Sequence, residues 1–131
     1  MANEALLSTR LQDRLPECTV AAGVTIAKGT VLKLSDPNTG SASSADNDLF
    51  LGIAAFEKDG SDTSTKLSYW TKGIFDMKDS GAGITAGDIV MIKGANLIAT
   101  LDEAGVAGAA QGFGIALQTA AASEVILVRL L

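Results

Sequence analysis

The sequence predicts a mainly β fold, a small barrel built from two duplicated halves and preceded by a short N-terminal arm or helix. The tripeptide Gly-Ile-Ala occurs twice, at residues 52–54 and 114–116, each time inside an apolar run. The segments "TIAKGTVLKL" and "GITAGDIVMI" also align, with Gly29 and Gly87 at the same point. Short aliphatic runs between polar, glycine-rich loops are typical of strands. Because similar segments occur in the same order in both halves, the sequence indicates an internal duplication.

Composition limits the classes of function. The 131 residues fit one compact domain, and 47% of them are hydrophobic, which favours contact with other chains. A net charge of -5 disfavours nucleic-acid binding. The apolar runs are much shorter than the roughly 20 residues of a membrane span. The first residues lack the long apolar core of a secretion signal, so we expect synthesis in the cytoplasm.

Residues 1–16 differ in character from the rest and are predicted to form an arm. Their leucines recur at helical spacing, Asn3 can cap the start, and Pro16 ends the pattern. The arm either docks on a partner or covers one end of its own barrel. The residues predicted to make this contact are Leu6, Leu7, Leu11 and Leu15.

The remaining residues, 17–131, are predicted to form a single domain with half-repeats at about 17–77 and 78–131. In each half a glycine turn, at Gly29 or Gly87, precedes the first aliphatic strand. Gly52 and Gly114 would weaken a strand unless a bend or a close backbone approach requires them. We therefore interpret both as structural devices of a barrel. Six positions are predicted to be apolar and interior: Leu32, Leu34, Val90, Ile92, Ile126 and Val128. The isoleucines of the repeated tripeptide, Ile53 and Ile115, are also predicted to be core residues.

The sequence offers only weak candidates for catalytic, metal-binding or nucleic-acid-binding residues. Histidine is absent and Cys18 is the only cysteine, so no histidine-based catalytic relay and no thiolate metal cluster can form within one chain. The loop containing Asp59 and Asp62 lacks the ligand spacing of a calcium loop, and we expect a solvated turn. Tyr69 and Trp70 favour core packing or a subunit contact over base stacking. No catalytic residue, metal or cofactor is predicted.

The order "GVTIAKGTVLKL", "FLGIAAF", "KLSYWTKGIF", "GITAGDIVMIKG", "GFGIAL" and "EVILVRLL" resembles the capsid decoration, or cement, proteins of tailed bacteriophages. The resemblance includes the lambda-type head-stabilising protein and covers roughly residues 16–131. It implies a β-tulip fold, no enzymatic activity and a homotrimer at local three-fold sites of the shell. The implied partner is the major capsid protein, and the implied location is the capsid exterior of the virion. A Leu-rich start replaces the extended polar arm of that family.

Two alternatives to a decoration protein stay open at this point. Another virion component, such as a head-tail joining or tail protein, would assemble as a ring, so its symmetry would distinguish it. A cellular small-ligand barrel would need polar groups at interior strand positions. The apolar character of the predicted interior disfavours a polar ligand.

Overall fold

The computed structural model describes residues 15–46, 48–101 and 111–131. The described chain is almost entirely β, as the sequence predicts. Leu6, Leu7 and Leu11 lie outside the described residues. The described residues contain ten strands: β1 Glu17–Thr19, β2 Val31–Asp36, β3 Thr39–Ala42, β4 Phe50–Ala54, β5 Lys66–Trp70, β6 Ile74–Asp79, β7 Ile89–Ile92, β8 Leu97–Thr100, β9 Gly114–Ala116 and β10 Val125–Leu130.

The ten strands form two closed five-stranded barrels. Barrel one has the strand order β1-β3-β2-β4-β5, and barrel two has the order β6-β8-β7-β9-β10. In each barrel the first and third strands run parallel and every other neighbouring pair is antiparallel. The two halves therefore share one topology, which confirms the fold predicted from the duplication. Each half closes its own barrel.

Strand register gives the equivalent residues of the two barrels. Leu32 lies opposite Gly52 in barrel one, and Val90 lies opposite Gly114 in barrel two. Gly52 and Gly114 thus occupy the same place in the fourth strand of each barrel. By the same comparison, each of the following pairs is equivalent: Val31 and Ile89, Leu34 and Ile92, Asn38 and Asn96, Leu51 and Phe113, Ile53 and Ile115, Tyr69 and Val128, Trp70 and Arg129.

Alternating side chains build a separate interior for each barrel. The interior of barrel one contains Cys18, Val20, Ile26, Leu32, Ala54, Leu67 and Tyr69. The interior of barrel two contains Met77, Ile84, Val90, Ile92, Ile98, Ala116, Ile126 and Val128. Five of the six predicted interior positions are buried. The prediction for Leu34 is wrong, because the side chain lies at an end of barrel one that no other described part of the chain covers, and it is 39% exposed.

Gly29 and Gly87 adopt the same turn at the entrance to β2 and β7. Their φ angles are 88° and 96°, a region that L side chains rarely adopt. The Gly29 amide donates to the Ala54 carbonyl at 2.9 Å, and the Gly87 amide donates to the Ala116 carbonyl at 2.8 Å. The turn therefore ties the start of one strand to the Gly-Ile-Ala strand beside it.

Gly52 and Gly114 are required by close approach of the neighbouring strand. A Cβ at Gly52 would lie 2.4 Å from the Tyr69 ring and 2.6 Å from the Trp70 carbonyl oxygen. A Cβ at Gly114 would lie 2.7 Å from Val128 Cγ1. The repeated tripeptide is thus a packing device in both barrels, because any larger residue would collide with the fifth strand.

Candidate interaction surfaces

The two barrels contact each other through different surfaces. Val31 and Ile53 alternate with interior residues of barrel one, so they project from its outer side, yet both are nearly fully buried. They belong to the hydrophobic cluster of barrel two. Nearby, Phe50 stacks on Phe113 with ring centroids 4.2 Å apart. The outer wall of barrel one therefore covers one end of barrel two, and burial of this apolar surface stabilises the junction.

Hydrogen bonds fix the position of that end. The β7–β8 turn supplies Asn96, whose Oδ1 accepts from the Val31 amide at 2.8 Å. The Ser43 hydroxyl donates to the Gly94 carbonyl at 3.0 Å and accepts from the Asn96 amide at 3.1 Å. We call the surface formed by Ile92, Gly94, Asn96 and Phe113 the turn end of barrel two. These partly buried bonds give the junction directional specificity that apolar contact alone lacks.

An ion pair and a small pocket flank the junction. Lys93 Nζ lies 2.7 Å from Asp46 Oδ2, but both side chains are about half exposed, so the pair contributes little to stability. Thr71 supplies the only polar side chain of the pocket lining. That lining consists of Phe50, Leu51, Thr71, Gly112, Phe113 and Leu131. The side chains of this lining include no carboxylate, amine, imidazole or thiol.

Barrel two carries an exposed apolar surface on its outer side. Across its strands, Ile89 lies opposite Ile115, Ile115 opposite Arg129, and Arg129 opposite Ile74. Residues directly opposite each other project to the same face of a sheet, and Leu127 shares that face because it lies two residues from Arg129. We call the surface formed by Ile74, Ile89, Ile115 and Leu127 the outer wall of barrel two.

The sequence predicts Ile115 to be a core residue, and this is wrong. Its side chain is only partly buried, because it projects from the outer wall of barrel two. Phe113 and Ala116 on either side of it are buried.

Trp70 and Tyr69 alternate, so the two aromatic residues have different surroundings. Tyr69 is buried inside barrel one, as the core-packing alternative expects, whereas Trp70 is exposed on the outer side. Leu15, the member of the predicted leucine contact that the structure describes, is partly buried. No aromatic platform suited to stacking bases is formed by these two residues, since they project to opposite faces of β5.

The acidic loop between β4 and β5 uses its carboxylates to hold turns. Asp59 Oδ1 accepts from the Ser61 amide at 3.0 Å, and Asp62 Oδ1 accepts from the Ser64 amide at 2.8 Å. The Ser61 amide lowers the pKa of the Asp59 carboxyl below its ordinary value. Within the described ranges, no group of three or more acidic or cysteine side chains could hold a metal ion. This geometry is that of solvated turns.

The profile of the phage cement protein family matches residues 12–130. The chain belongs to the phage cement protein family. The match extends over both barrels, so family membership rests on the whole duplicated unit. None of the curated proteins compared with this sequence matches it.

Among solved structures, this cement protein is similar to the head fiber gp8.5 N base of bacteriophage phi29. The TM-score is 0.58 and the sequence identity 16%, with 90% of this chain and 95% of that chain covered. A likeness at this identity indicates a shared fold. Membership of the phage cement protein family associates the chain with virion structure.

Buried polar groups of this cement protein serve its architecture. Lys58 is almost fully buried, and its ammonium donates to the carbonyls of Val24 and Asp62 at 3.2 and 3.0 Å. Asp79 is fully buried, and its Oδ2 accepts from the amides of Gly83 and Ser123 at 2.8 and 3.2 Å. Its Oδ1 accepts no hydrogen bond from the described residues. Each group ties a loop to the end of its barrel.

Two titratable groups lie in the interior of barrel one. Burial raises the pKa of the Cys18 thiol, although hydrogen bonds from backbone groups partly oppose it. Burial also raises the pKa of the Tyr69 hydroxyl. A buried thiol with a raised pKa is a poor nucleophile, since the reactive species is the thiolate.

In the described part of the chain, no helix is long and apolar enough to cross a membrane.

Proposed function

We propose that the chain is a non-enzymatic cement protein that binds the outside of the assembled major capsid shell and stabilises it. The observation that carries the proposal is the family match over residues 12–130, which includes both barrels. The apolar outer wall of barrel two supports it, since exposed surface of this kind favours contact with other chains. Residues 1–16 are the proposed arm, and residues 17–131 are the proposed decoration domain.

The proposed assembly is a homotrimer at local three-fold sites of the shell, with the major capsid protein as its partner. Three copies at one site bind together, so weak individual contacts with the shell reinforce each other. The proposed action is mechanical: bound copies bridge neighbouring capsid subunits and raise the energy needed to separate them. Cytoplasmic synthesis in the host and a final location on the capsid exterior follow from this proposal.

Mixing the purified chain with undecorated shells tests the proposal. We expect saturable binding, density on the outer surface at local three-fold positions, and a higher temperature of shell disruption. Binding confined to a vertex or to the tail would instead support a head-tail joining or tail component. No binding to intact shells would overturn the proposed function.

Removing residues 1–16 tests the role of the arm. If Leu6, Leu7, Leu11 and Leu15 dock on the capsid, residues 17–131 should melt near the temperature of the full chain but bind shells more weakly. Each leucine that becomes fully buried contributes about 1.5 to 3 kcal/mol before ordering costs. A truncated chain that melts much lower yet decorates normally would show that the arm covers its own barrel. Substituting Arg10 and Arg14 by Gln, as a control for charge, should change binding little.

A further inference from the structure

The junction inside the chain joins two surfaces, and a counterpart of each surface stands exposed on the other barrel. The junction uses the outer wall of barrel one and the turn end of barrel two. Because both barrels have one topology, barrel two has an equivalent wall and barrel one has an equivalent turn end. These two counterparts take no part in the junction.

Burial differs sharply between equivalent wall residues. Val31 is 4% exposed at the junction, whereas its equivalent Ile89 is 41% exposed. Ile53 is 2% exposed, whereas its equivalent Ile115 is only partly buried. All four side chains are aliphatic, so the exposed wall has the chemistry of the covered one. The outer wall of barrel two is therefore built like a surface that receives a barrel end.

The turn ends show the opposite difference. Ile92 is fully buried at the turn end of barrel two, whereas its equivalent Leu34 is 39% exposed. Asn96, which binds the Val31 amide, corresponds to Asn38, and the two have similar positive φ angles of 57° and 50°. The turn end of barrel one is formed by Leu34, Asp36, Asn38 and Leu51. Its asparagine retains the left-handed backbone of the asparagine that docks inside the chain, whereas Asp36 stands where barrel two has Gly94, whose φ is 128°.

We propose that copies of this chain associate head to tail, with the turn end of barrel one seated on the outer wall of barrel two of the next copy. The contact repeats the junction inside the chain, and Asn38 Oδ1 accepts from the Ile89 amide as Asn96 Oδ1 accepts from the Val31 amide. A contact between two different surfaces closes into a ring when the rotation fits. The inference rests on the self-association in the proposed function and specifies its surfaces.

The predicted contact is weaker than its template inside the chain. The Phe50–Phe113 stack has no counterpart, because Gly112 precedes Phe113 where Phe50 precedes Leu51. The Ser43 hydroxyl, which links the turn to the wall, is replaced at the equivalent position by Leu101. An association that lacks these groups is reversible, which suits a chain that also has to reach the shell as a separate molecule.

Two single substitutions place a charge on each proposed surface: Leu34→Asp on the turn end and Ile89→Asp on the wall. Each should lower self-association at least about tenfold, because the carboxylate would be buried without a partner. Val24→Asp is the matched control, since Val24 is 43% exposed and belongs to neither surface. Ile89→Lys is a second wall variant. Melting temperatures near that of the wild type confirm that the variants fold.

Mixing the two variants gives the decisive result, measured by sedimentation or native mass spectrometry. Each variant retains one intact surface, so an equimolar mixture of Leu34→Asp and Ile89→Asp should form a single heterodimer and no ring. Failure of the mixture to associate, or association of either variant alone as well as the wild type, would overturn the inference. A wild-type chain that stays monomeric under the same conditions would overturn it too.

Shell binding separates the two proposals. A wild-type chain that self-associates through these surfaces but does not bind shells contradicts the proposed function alone. A chain that decorates shells at local three-fold sites, with normal occupancy by Leu34→Asp and Ile89→Asp, contradicts the head-to-tail contact alone.

Discussion

Barrel one and barrel two have the same topology but are covered in different places. In barrel one the wall is buried and the turn end is open; in barrel two the turn end is buried and the wall is open. The difference arises because the junction joins two different surfaces, the outer wall of one copy and the turn end of the other, so each copy contributes only one of them. Burial of a residue in this duplicated protein therefore depends on which copy carries it.

The largest expected difference in stability is between substitutions of the equivalent residues Ile53 and Ile115. Ile53→Ala should lower the free energy of unfolding by about 2 to 5 kcal/mol, the range for truncating a buried aliphatic side chain. Ile115→Ala should cost about 1 kcal/mol or less, because its side chain already contacts solvent. Denaturant unfolding at low protein concentration measures both without a contribution from self-association. Equal losses would show that the two walls are covered alike.

Substitutions of the two glycines of the repeated tripeptide should differ less in their effect on the free energy of unfolding. Gly52→Ala and Gly114→Ala should each cost about 1 to 3 kcal/mol through overpacking. Gly52→Ala should cost more, because the Trp70 carbonyl oxygen lies 2.6 Å from the new Cβ and backbone shifts with difficulty. At Gly114 the nearest atom is Val128 Cγ1 at 2.7 Å, and the nearest backbone atom, the Arg129 carbonyl oxygen, lies farther away at 3.0 Å. Thermal unfolding tests the order, and a larger loss at Gly114 would contradict it.

Substitutions of the two equivalent turn asparagines measure how much one hydrogen bond of the junction contributes to stability. Asn96→Ala removes the acceptor of the Val31 amide, and Asn38→Ala removes a side chain without that role in the chain. Both substitutions carry a similar backbone strain, since both positions have positive φ. Asn96→Ala should therefore cost about 0.5 to 1.5 kcal/mol more than Asn38→Ala at low concentration. Identical denaturation midpoints would mean that this bond adds nothing to stability.

The smallest expected effect is a dependence on alkaline pH that originates in barrel one. Cys18 and Tyr69 have raised pKa values in the folded chain, so the folded state holds these protons more tightly than the unfolded state. Their contribution to stability is complete below the unfolded pKa values, about 8.5 and 10, and is lost as pH rises through the higher folded values.

Melting temperatures between pH 7 and pH 10.5 measure this effect. Cys18→Ala should flatten the lower part of the decline, and Tyr69→Phe the upper part. The equivalents in barrel two, Met77 and Val128, do not titrate, so Met77→Ala is a control that should leave the slope unchanged. A wild-type stability that rises over this range would contradict the assigned direction.

Many features of the candidate surfaces could not be predicted from short stretches of the sequence. The loop acids were correctly predicted to form solvated turns, because Asp and Ser at close spacing bind nearby amides. The buried Asp79 was missed, since nothing in "DMKDSGAG" distinguishes a carboxylate that closes a barrel end from one in a polar connector. Leu34 was predicted to be interior because it continues the alternation of Leu32. It is exposed because its end of barrel one is not covered within the described chain, whereas the equivalent Ile92 is buried.

The sequence by itself determined the duplication, the β character of both halves and the positions of the turn and packing glycines. These features depend on local geometry: strand alternation, positive φ, and a strand too close for a side chain. Only the tertiary structure decided that each half closes its own barrel and that Val31 and Ile53 are buried while Ile89 and Ile115 face outward. Both halves place aliphatic residues on the outer wall of their barrel. Either wall is buried only where another barrel docks against it, and that docking is a contact between residues distant in the chain.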